Sequence, residues 1–134
     1  MTDAFTDAAR SLFSTRALAH VATVGEDGAP YVTPVWVDLV GDEILINTAL
    51  GRVKARHLAS EPRVALSVCD PDDPNAVVAV RGTVTRFTTE GADADIDRLA
   101  KKYLGVERFE GGGEGEIRVS VYIRPDHISM QPED

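Results

Sequence analysis

The chain reads as an antiparallel α+β protein built on a small barrel, with about seven strands and two or three helices. Three observations lead there. Apolar segments of strand length recur along all 134 residues, several of them alternating inside and outside. Tight-turn signals such as Gly25-Glu26-Asp27-Gly28 and Gly41-Asp42 join neighbouring segments in hairpin fashion. Helical spacing shows in only two or three places between them.

Residues 3–14 place Phe5, Ala9, Leu12 and Phe13 at helical spacing and open the chain as a short amphipathic helix. Ala17–Val24 follows as a strand, and the Asp27-Gly28 turn leads into a partner from Ala29 to Val40. That partner alternates Tyr31, Thr33, Val35, Val37 and Leu39 on one face, but Pro34 has no N–H for the ladder and implies a bulge or a lapse in pairing. Glu43–Thr48 completes an expected meander. A short helix then spans the segment 47–63 and ends by Glu61, because Pro62 pushes the preceding residue out of the α region. Arg63–Cys69 is the fourth strand and Asp70-Pro71-Asp72-Asp73-Pro74-Asn75 a loop. Val77–Phe87 is a long strand in which Gly82 marks a bulge or a close backbone approach. Ala92–Leu104 is the clearest helix: Ala92, Ile96, Leu99 and Tyr103 share a face, acids lead, lysines trail and Gly105 closes it. Glu110–Glu116, with four glycines, reads as a mobile loop. Glu116–Arg124 should alternate Ile117, Val119, Val121 and Ile123 inward, and Asp126–Met130 adds a last short strand.

Totals exclude several classes. With 43% hydrophobic and 27% charged residues, residues 1–134 read as one globular domain without repeats or low-complexity tracts. The net charge of −8 argues against a general nucleic-acid binder. No apolar run approaches the ~20 residues of a membrane span. Met1-Thr2-Asp3-Ala4-Phe5 begins nothing like a secretory signal, and the lone Cys69, expected as a buried structural thiol, suits a reducing cytoplasm.

One helix breaks local rules. Arg52, Lys54 and Arg56 crowd the start of the 47–63 helix, where the dipole disfavours cations, and Arg52 and Arg56 form a like-charge i,i+4 pair. A bound anion would resolve this, because free N–H groups at a helix start and flanking basic side chains together make a phosphate site. The alternative is a solvated basic face whose long side chains cover apolar surface. Arg52 and Lys54 lie about 200° apart on a continuous helix, so both meet one phosphate only if Arg52 belongs to the entering turn and helix begins near Val53.

Other chemistry is missing. Neither glycine-rich nucleotide fingerprint occurs, nor a Gly-x-Ser-x-Gly elbow. His20, His57 and His127 show no zinc spacing, and the aspartates of the 70–75 loop do not match a calcium loop. No residue stands out as catalytic, and His20 reads as a packed strand residue rather than a base. A chain without nucleophile, acid pair or metal suits chemistry supplied by an organic cofactor.

Several motifs, in this order and spacing, resemble a known family. They are Pro34-Val35-Trp36-Val37, Ile44-Leu45-Ile46-Asn47-Thr48, Gly51-Arg52-Val53-Lys54-Ala55-Arg56-His57-Leu58 and Glu61-Pro62-Arg63-Val64. With Arg81-Gly82-Thr83-Val84 and Asp97-Arg98-Leu99-Ala100-Lys101-Lys102-Tyr103-Leu104-Gly105, they resemble the flavin-binding split β-barrel family, the pyridoxamine 5'-phosphate oxidase-like superfamily. Within it they look most like the actinobacterial branch that uses the deazaflavin coenzyme F420, from about Leu12 to Ser129.

The resemblance implies a six- or seven-stranded split barrel that forms a homodimer with its cofactor at the interface. It implies that Arg52 and Lys54 hold the cofactor phosphate, with Arg56 nearby and the Val53 amide contributing. Asn47 and Thr48 would line the ribityl chain or ring edge, and Tyr31, Thr33, Pro34 and Val35 would run beside the tricyclic ring. Asn75, Ala76 and Val77 would reach over from the second subunit. His57, a further polar contact, stands where related sequences often carry Asn. Pyridoxamine phosphate oxidases proper continue into a C-terminal Arg- and His-bearing segment; here the sequence ends Met130-Gln131-Pro132-Glu133-Asp134, so vitamin B6 oxidation is not expected. The implied activity is hydride transfer from reduced F420 to an unsaturated small organic substrate, with Trp36 flanking the substrate or serving core or interface. An FMN-dependent reductase or oxidase and a non-catalytic flavin- or deazaflavin-binding protein are the alternatives.

Overall fold

A computed structural model describes residues 3–131; Met1-Thr2 and the terminal Pro132-Glu133-Asp134 lie outside the described residues. In chain order the elements are α1 (Asp7–Phe13), β1 (Ala19–Val24), β2 (Pro30–Val35), β3 (Asp38–Val40), β4 (Glu43–Ala49) and α2 (Val53–Ser60). Then come β5 (Arg63–Asp70), β6 (Asp73–Thr88), α3 (Ala92–Leu104) and β7 (Arg118–Gln131). The strands form one seven-stranded sheet in the order β2-β1-β5-β6-β7-β4-β3, with every pairing antiparallel.

That order explains how the barrel closes. β2 and β3 are the two edges of the sheet, yet only Trp36 and Val37 separate them in sequence. The sheet is therefore closed by covalent chain rather than by a ladder, which is the split of a split barrel. The expected strand from Ala29 to Val40 is thus two strands, and the expected three-stranded meander does not form. The cause is local: β2 ends one residue after Pro34, and the next free backbone groups find side chains instead of a neighbouring strand. The Val37 N–H donates to Tyr103 Oη (3.2 Å), and the Val37 carbonyl accepts from Lys102 Nζ (2.6 Å).

Inside the barrel the alternating aliphatics meet. Val21, Ile44, Ile46, Val68, Val78, Val119, Val121 and Ile123 are essentially inaccessible and form one cluster with Phe13 and Leu12 of α1. α1 is started by Thr6, whose hydroxyl accepts from the Ala9 N–H (3.2 Å). α3 buries Ala92, Ile96, Leu99, Ala100 and Tyr103 and ends on left-handed Gly105, as its pattern predicted. It covers a polar stretch of sheet: Asp95 accepts from Ser120 Oγ (2.6 Å) and Tyr122 Oη (3.1 Å) of β7.

Three boundaries differ from the sequence reading. The 70–75 loop shrinks to a tight turn at Pro71-Asp72, because Asp73–Asn75 already belong to β6. The last two expected strands are one, β7, since its pairing with β6 shifts register near Gly82 but does not stop. Ile117 precedes β7 and is exposed, whereas Val119, Val121 and Ile123 point inward as expected. Two side chains also differ in burial. Cys69 is only half-buried at the β5–β6 turn, and His20 is exposed on the outer face of β1 rather than packed.

Gly82 shows both features its position suggested. The β6–β7 register shifts between Arg81 and Gly82, and a Cβ there would stand 2.6 Å from the Arg124 carbonyl oxygen. Because that neighbour is backbone, a methyl group forces the two strands apart. Gly82→Ala should destabilise the fold by about 2–3 kcal/mol or more, read as a lower urea midpoint; an unchanged midpoint would show that the bulge absorbs the methyl.

Candidate functional site

The start of α2 is built as a shared anchor requires. Gly51 turns the chain with φ +91°, Arg52 is the extended N-cap (φ −74°, ψ 152°), and Val53 is the first helical residue. The first N–H groups of the helix have no intrahelical acceptor. No side chain caps them, and the first turn contains no acid. Lys54 reaches across to β2, where its Nζ donates to Thr33 Oγ1 (2.8 Å). Among the described residues it has no carboxylate partner. Burial first, then the charges of Arg52 and Arg118, hold its ammonium below the ordinary lysine value. Several like charges around one half-buried ammonium, with hydroxyl as its only contact, make a site that favours an anion.

These groups open into a cleft of about 350 Å³ lined by residues from β2, β4, α2, α3 and β7. Arg52, Lys54, Arg118, Asn47 and Thr48 make its polar part; Leu18, Trp36, Ile96, Leu99 and Phe109 make its apolar wall, with Pro34 and Val35 beside it. Trp36 does two jobs. Its ring is stacked on Tyr103 (5.5 Å between centroids, 12° apart) and meets the edge of Phe109 (5.9 Å), so it joins the wall of the cleft to the α3 packing.

Arg118 is the residue that organises the polar part. It is buried, 8% exposed, and its Nε donates to Asn47 Oδ1 (2.9 Å). Asn47 in turn donates to the Ala92 carbonyl at the start of α3 (3.0 Å), so its amide is committed to holding β4, β7 and α3 together. Glu116 is the carboxylate ion-paired here: Oε1 accepts from Arg52 Nη2 (2.7 Å), and Oε2 lies 3.3 Å from Arg118 Nη1, on which the charge of Asp93 also acts. That second contact is close but misaligned, leaving Oε2 and Nη1 buried without a true hydrogen bond; Thr48 Oγ1 is buried without a partner as well. Burial alone would raise the Glu116 carboxyl, but the bond from Arg52 and the charge of Arg118 outweigh it and hold it below the usual carboxylate range.

Tyr31, Arg56 and His57 stand outside this cleft. Arg56 turns back to donate to the Gly51 carbonyl (2.7 Å). His57 Nδ1 shares a hydrogen bond with Thr23 Oγ1 (2.9 Å), and its ring meets Tyr31 edge-on (5.8 Å). Both basic residues flank a shallow depression at the β1–β2 turn. Asn75, Ala76 and Val77 lie near the start of β6, which β1 and β5 separate from β2, and none of the three lines the cleft. Within one chain they do not reach the cleft.

Sequence reasoning missed Arg118, Glu116, Phe109 and the α3 pair Ile96 and Leu99. A signal for Arg118 existed. Arg118, Ser120 and Tyr122 alternate as a polar face on an otherwise aliphatic strand, and the acids leading α3 are their complement. Phe109 carries none, since its place depends on how the loop folds. Among the described residues no three His, Cys, Asp or Glu side chains stand together as a metal site, and no helix is long and apolar enough to cross a membrane.

Comparison with known proteins agrees with this architecture. The pyridoxamine 5'-phosphate oxidase family model matches residues 5–131. A solved F420 reductase is 31% identical, with 90% of this chain and 94% of that one covered and a TM-score of 0.80. The FAD and heme binding protein of Mycobacterium smegmatis shares the fold at 20% identity, covering 99% and 76% of the two chains (TM-score 0.70). HupZ of Group A Streptococcus does so at 22%, covering 95% and 94% (TM-score 0.68). Comparison with curated proteins found no match. The likeness to the F420 reductase, nearly end to end, agrees with the branch to which the motifs pointed. With the family model spanning almost its whole length and the barrel split between β2 and β3, the chain belongs to the pyridoxamine 5'-phosphate oxidase-like split β-barrel family.

Proposed function

We propose that the protein is an oxidoreductase that binds reduced coenzyme F420 in this cleft and serves hydride transfer from it to an unsaturated small organic substrate. The observation that carries the reading is Lys54, a half-buried ammonium without a carboxylate, beside an uncapped helix start and two arginines. The 31% identity to an F420 reductase supports the choice of cofactor. The residues suit a phosphate-bearing tricyclic group on three counts. Three cations share one ion-paired carboxylate, Glu116, with Asp93 close enough to act on Arg118; Thr48 Oγ1 lacks a partner, and the polar part adjoins an aromatic and aliphatic slot.

When bound, the deazaflavin supplies the hydride chemistry; the chain supplies binding, orientation and exclusion of water. In this reading Arg52, Lys54 and the Val53 amide hold the phosphate, and Thr33 aims the Lys54 ammonium. Pro34, Val35 and Trp36 flank the ring, while Thr48 and Asn47 line its edge. Tyr31, Arg56 and His57 form an outer rim beyond the phosphate. Asn75, Ala76 and Val77 complete the site only from a second copy, so the reading includes a homodimer. The groove on the outer sheet face, lined by His20, Ala22, Val32 and Ala65, is where that copy would sit. No side chain of the cleft is assigned as an acid, and the proton that accompanies hydride is assigned to solvent.

Side-by-side titration of the apo-protein with F420 and FMN tests this, because the phosphate anchor serves both and only the ring differs. F420 should bind more tightly, and protein from a host that makes no deazaflavin should be colourless. A yellow preparation holding stoichiometric FMN would overturn the choice in favour of the FMN-dependent reading. Tight binding of reduced F420 with no oxidation by any quinone, enone or bilin-like acceptor would instead leave a binding protein.

A further inference from the structure

Glu116 sits where an incoming anion would have to go. Its carboxylate lies between the guanidinium groups of Arg52 (2.7 Å) and Arg118 (3.3 Å), two of the three cations of the cleft. The glycine-rich segment folds directly over it. A Cβ on Gly112 would stand 2.5 Å from Glu116 Oε2, so a side chain there must displace the carboxylate. Phe109, at the other end of the segment, rests on the Arg118 guanidinium (5.0 Å), and its N–H is held by Asp97 Oδ1 (2.8 Å). The pairing is nonetheless incomplete, because Arg118 Nη1 and Glu116 Oε2 are buried without an aligned bond. A half-satisfied buried pair is a poor structural staple. A phosphate sets its unesterified oxygens in a tetrahedral rather than a planar array and can align with both guanidinium groups at once.

We propose that Glu116 is a built-in stand-in for the cofactor's phosphate and that Arg118 is the third cation of that site. Binding exchanges carboxylate for phosphate and releases the 110–116 segment, which lines the adjoining depression, from Arg52 and Arg118. This makes Glu116 a specificity-determining residue: a ligand without a phosphate cannot displace it, and a single carboxylate gains little by doing so. The proposal rests on the reading of the cleft as a phosphate-cofactor site. The lowered proton affinity of Glu116 agrees with it, since the carboxylate is held charged in place.

Glu116→Gln keeps the size of the side chain and removes its charge. It should bind F420 and FMN about tenfold more tightly than the unaltered protein at low salt, with riboflavin, which has no phosphate, unchanged. Gly112→Ala should do the same by pushing the carboxylate aside, and it serves where Glu116→Gln folds poorly. Inorganic phosphate, against chloride of equal ionic strength, should speed cleavage after Glu110 and Glu114 by a glutamyl endopeptidase in the unaltered protein. In Glu116→Gln that cleavage should already be fast. Equal F420 affinity in all three proteins, equal tightening of riboflavin, or protection of the segment by phosphate would each overturn the exchange. Failure of every one of these proteins to bind F420 or FMN would instead overturn the cofactor reading, and the phosphate and protease measurement would still decide the exchange.

Discussion

Replacing Lys54 and Arg52 together by alanine should reduce F420 affinity by roughly 100- to 10,000-fold and leave the protein folded. Each charge-assisted contact to phosphate is worth about 1.5–3 kcal/mol, and every 1.4 kcal/mol is about a factor of ten in affinity. The double variant should also melt no lower than the parent, because folding brings the Lys54 ammonium into a half-buried place beside two arginines. The sign follows from the direction of the shift. Its folded value lies below the ordinary 10.5, so between the two values the unfolded chain holds the extra proton and stability rises with pH. The penalty is therefore complete below the folded value, where both states hold the proton. Lys54→Ala alone should raise the melting temperature there, and the gain should fade as the pH approaches 10.5. Unchanged affinity in the double variant, by isothermal titration, would return α2 to a solvated basic face.

Asn47→Ala should act on the fold, costing about 2–4 kcal/mol. The side chain accepts from Arg118 Nε and donates to the Ala92 carbonyl, both in buried surroundings. Truncation leaves those partners unsatisfied at about 1–3 kcal/mol each. Urea unfolding measures the loss directly. Affinity for F420 should fall too, because Arg118 loses the acceptor that positions it. A loss below 1 kcal/mol would mean that water replaces the amide and that Asn47 is free to serve a ligand.

The contrast between these residues shows what the sequence could and could not disclose. Arg52 and Lys54 were legible because they violate a local rule, the preference for acids at a helix start, and such violations are visible without a fold. The α3 helix was legible for the opposite reason, since caps, dipole order and apolar face agree. Strand existence was readable from alternation, but the path of the sheet was not. Pro34 announced a lapse, while only tertiary structure shows that Val37 then bonds to Tyr103 and that β2 and β3 become opposite edges. Asn47 looked like a ligand contact because its partners, Ala92 and Arg118, lie 45 and 71 residues away. Arg118 itself lay hidden at the start of an aliphatic strand, just before inward-facing Val119, on the face that α3 covers.

The seam between β2 and β3 has a consequence for motion. No ladder bridges it, so the cleft that opens beside it can widen without breaking a single strand-to-strand hydrogen bond. What resists widening is the grip of α3 on the Trp36-Val37 joint: the Tyr103 hydroxyl, the Lys102 ammonium and the stacked indole. The opening free energy of the site is thereby uncoupled from the unfolding of the sheet. The Val37 amide should exchange its proton with solvent at the rate of local opening, far ahead of the amides of the β6–β7 ladder in the middle of the sheet.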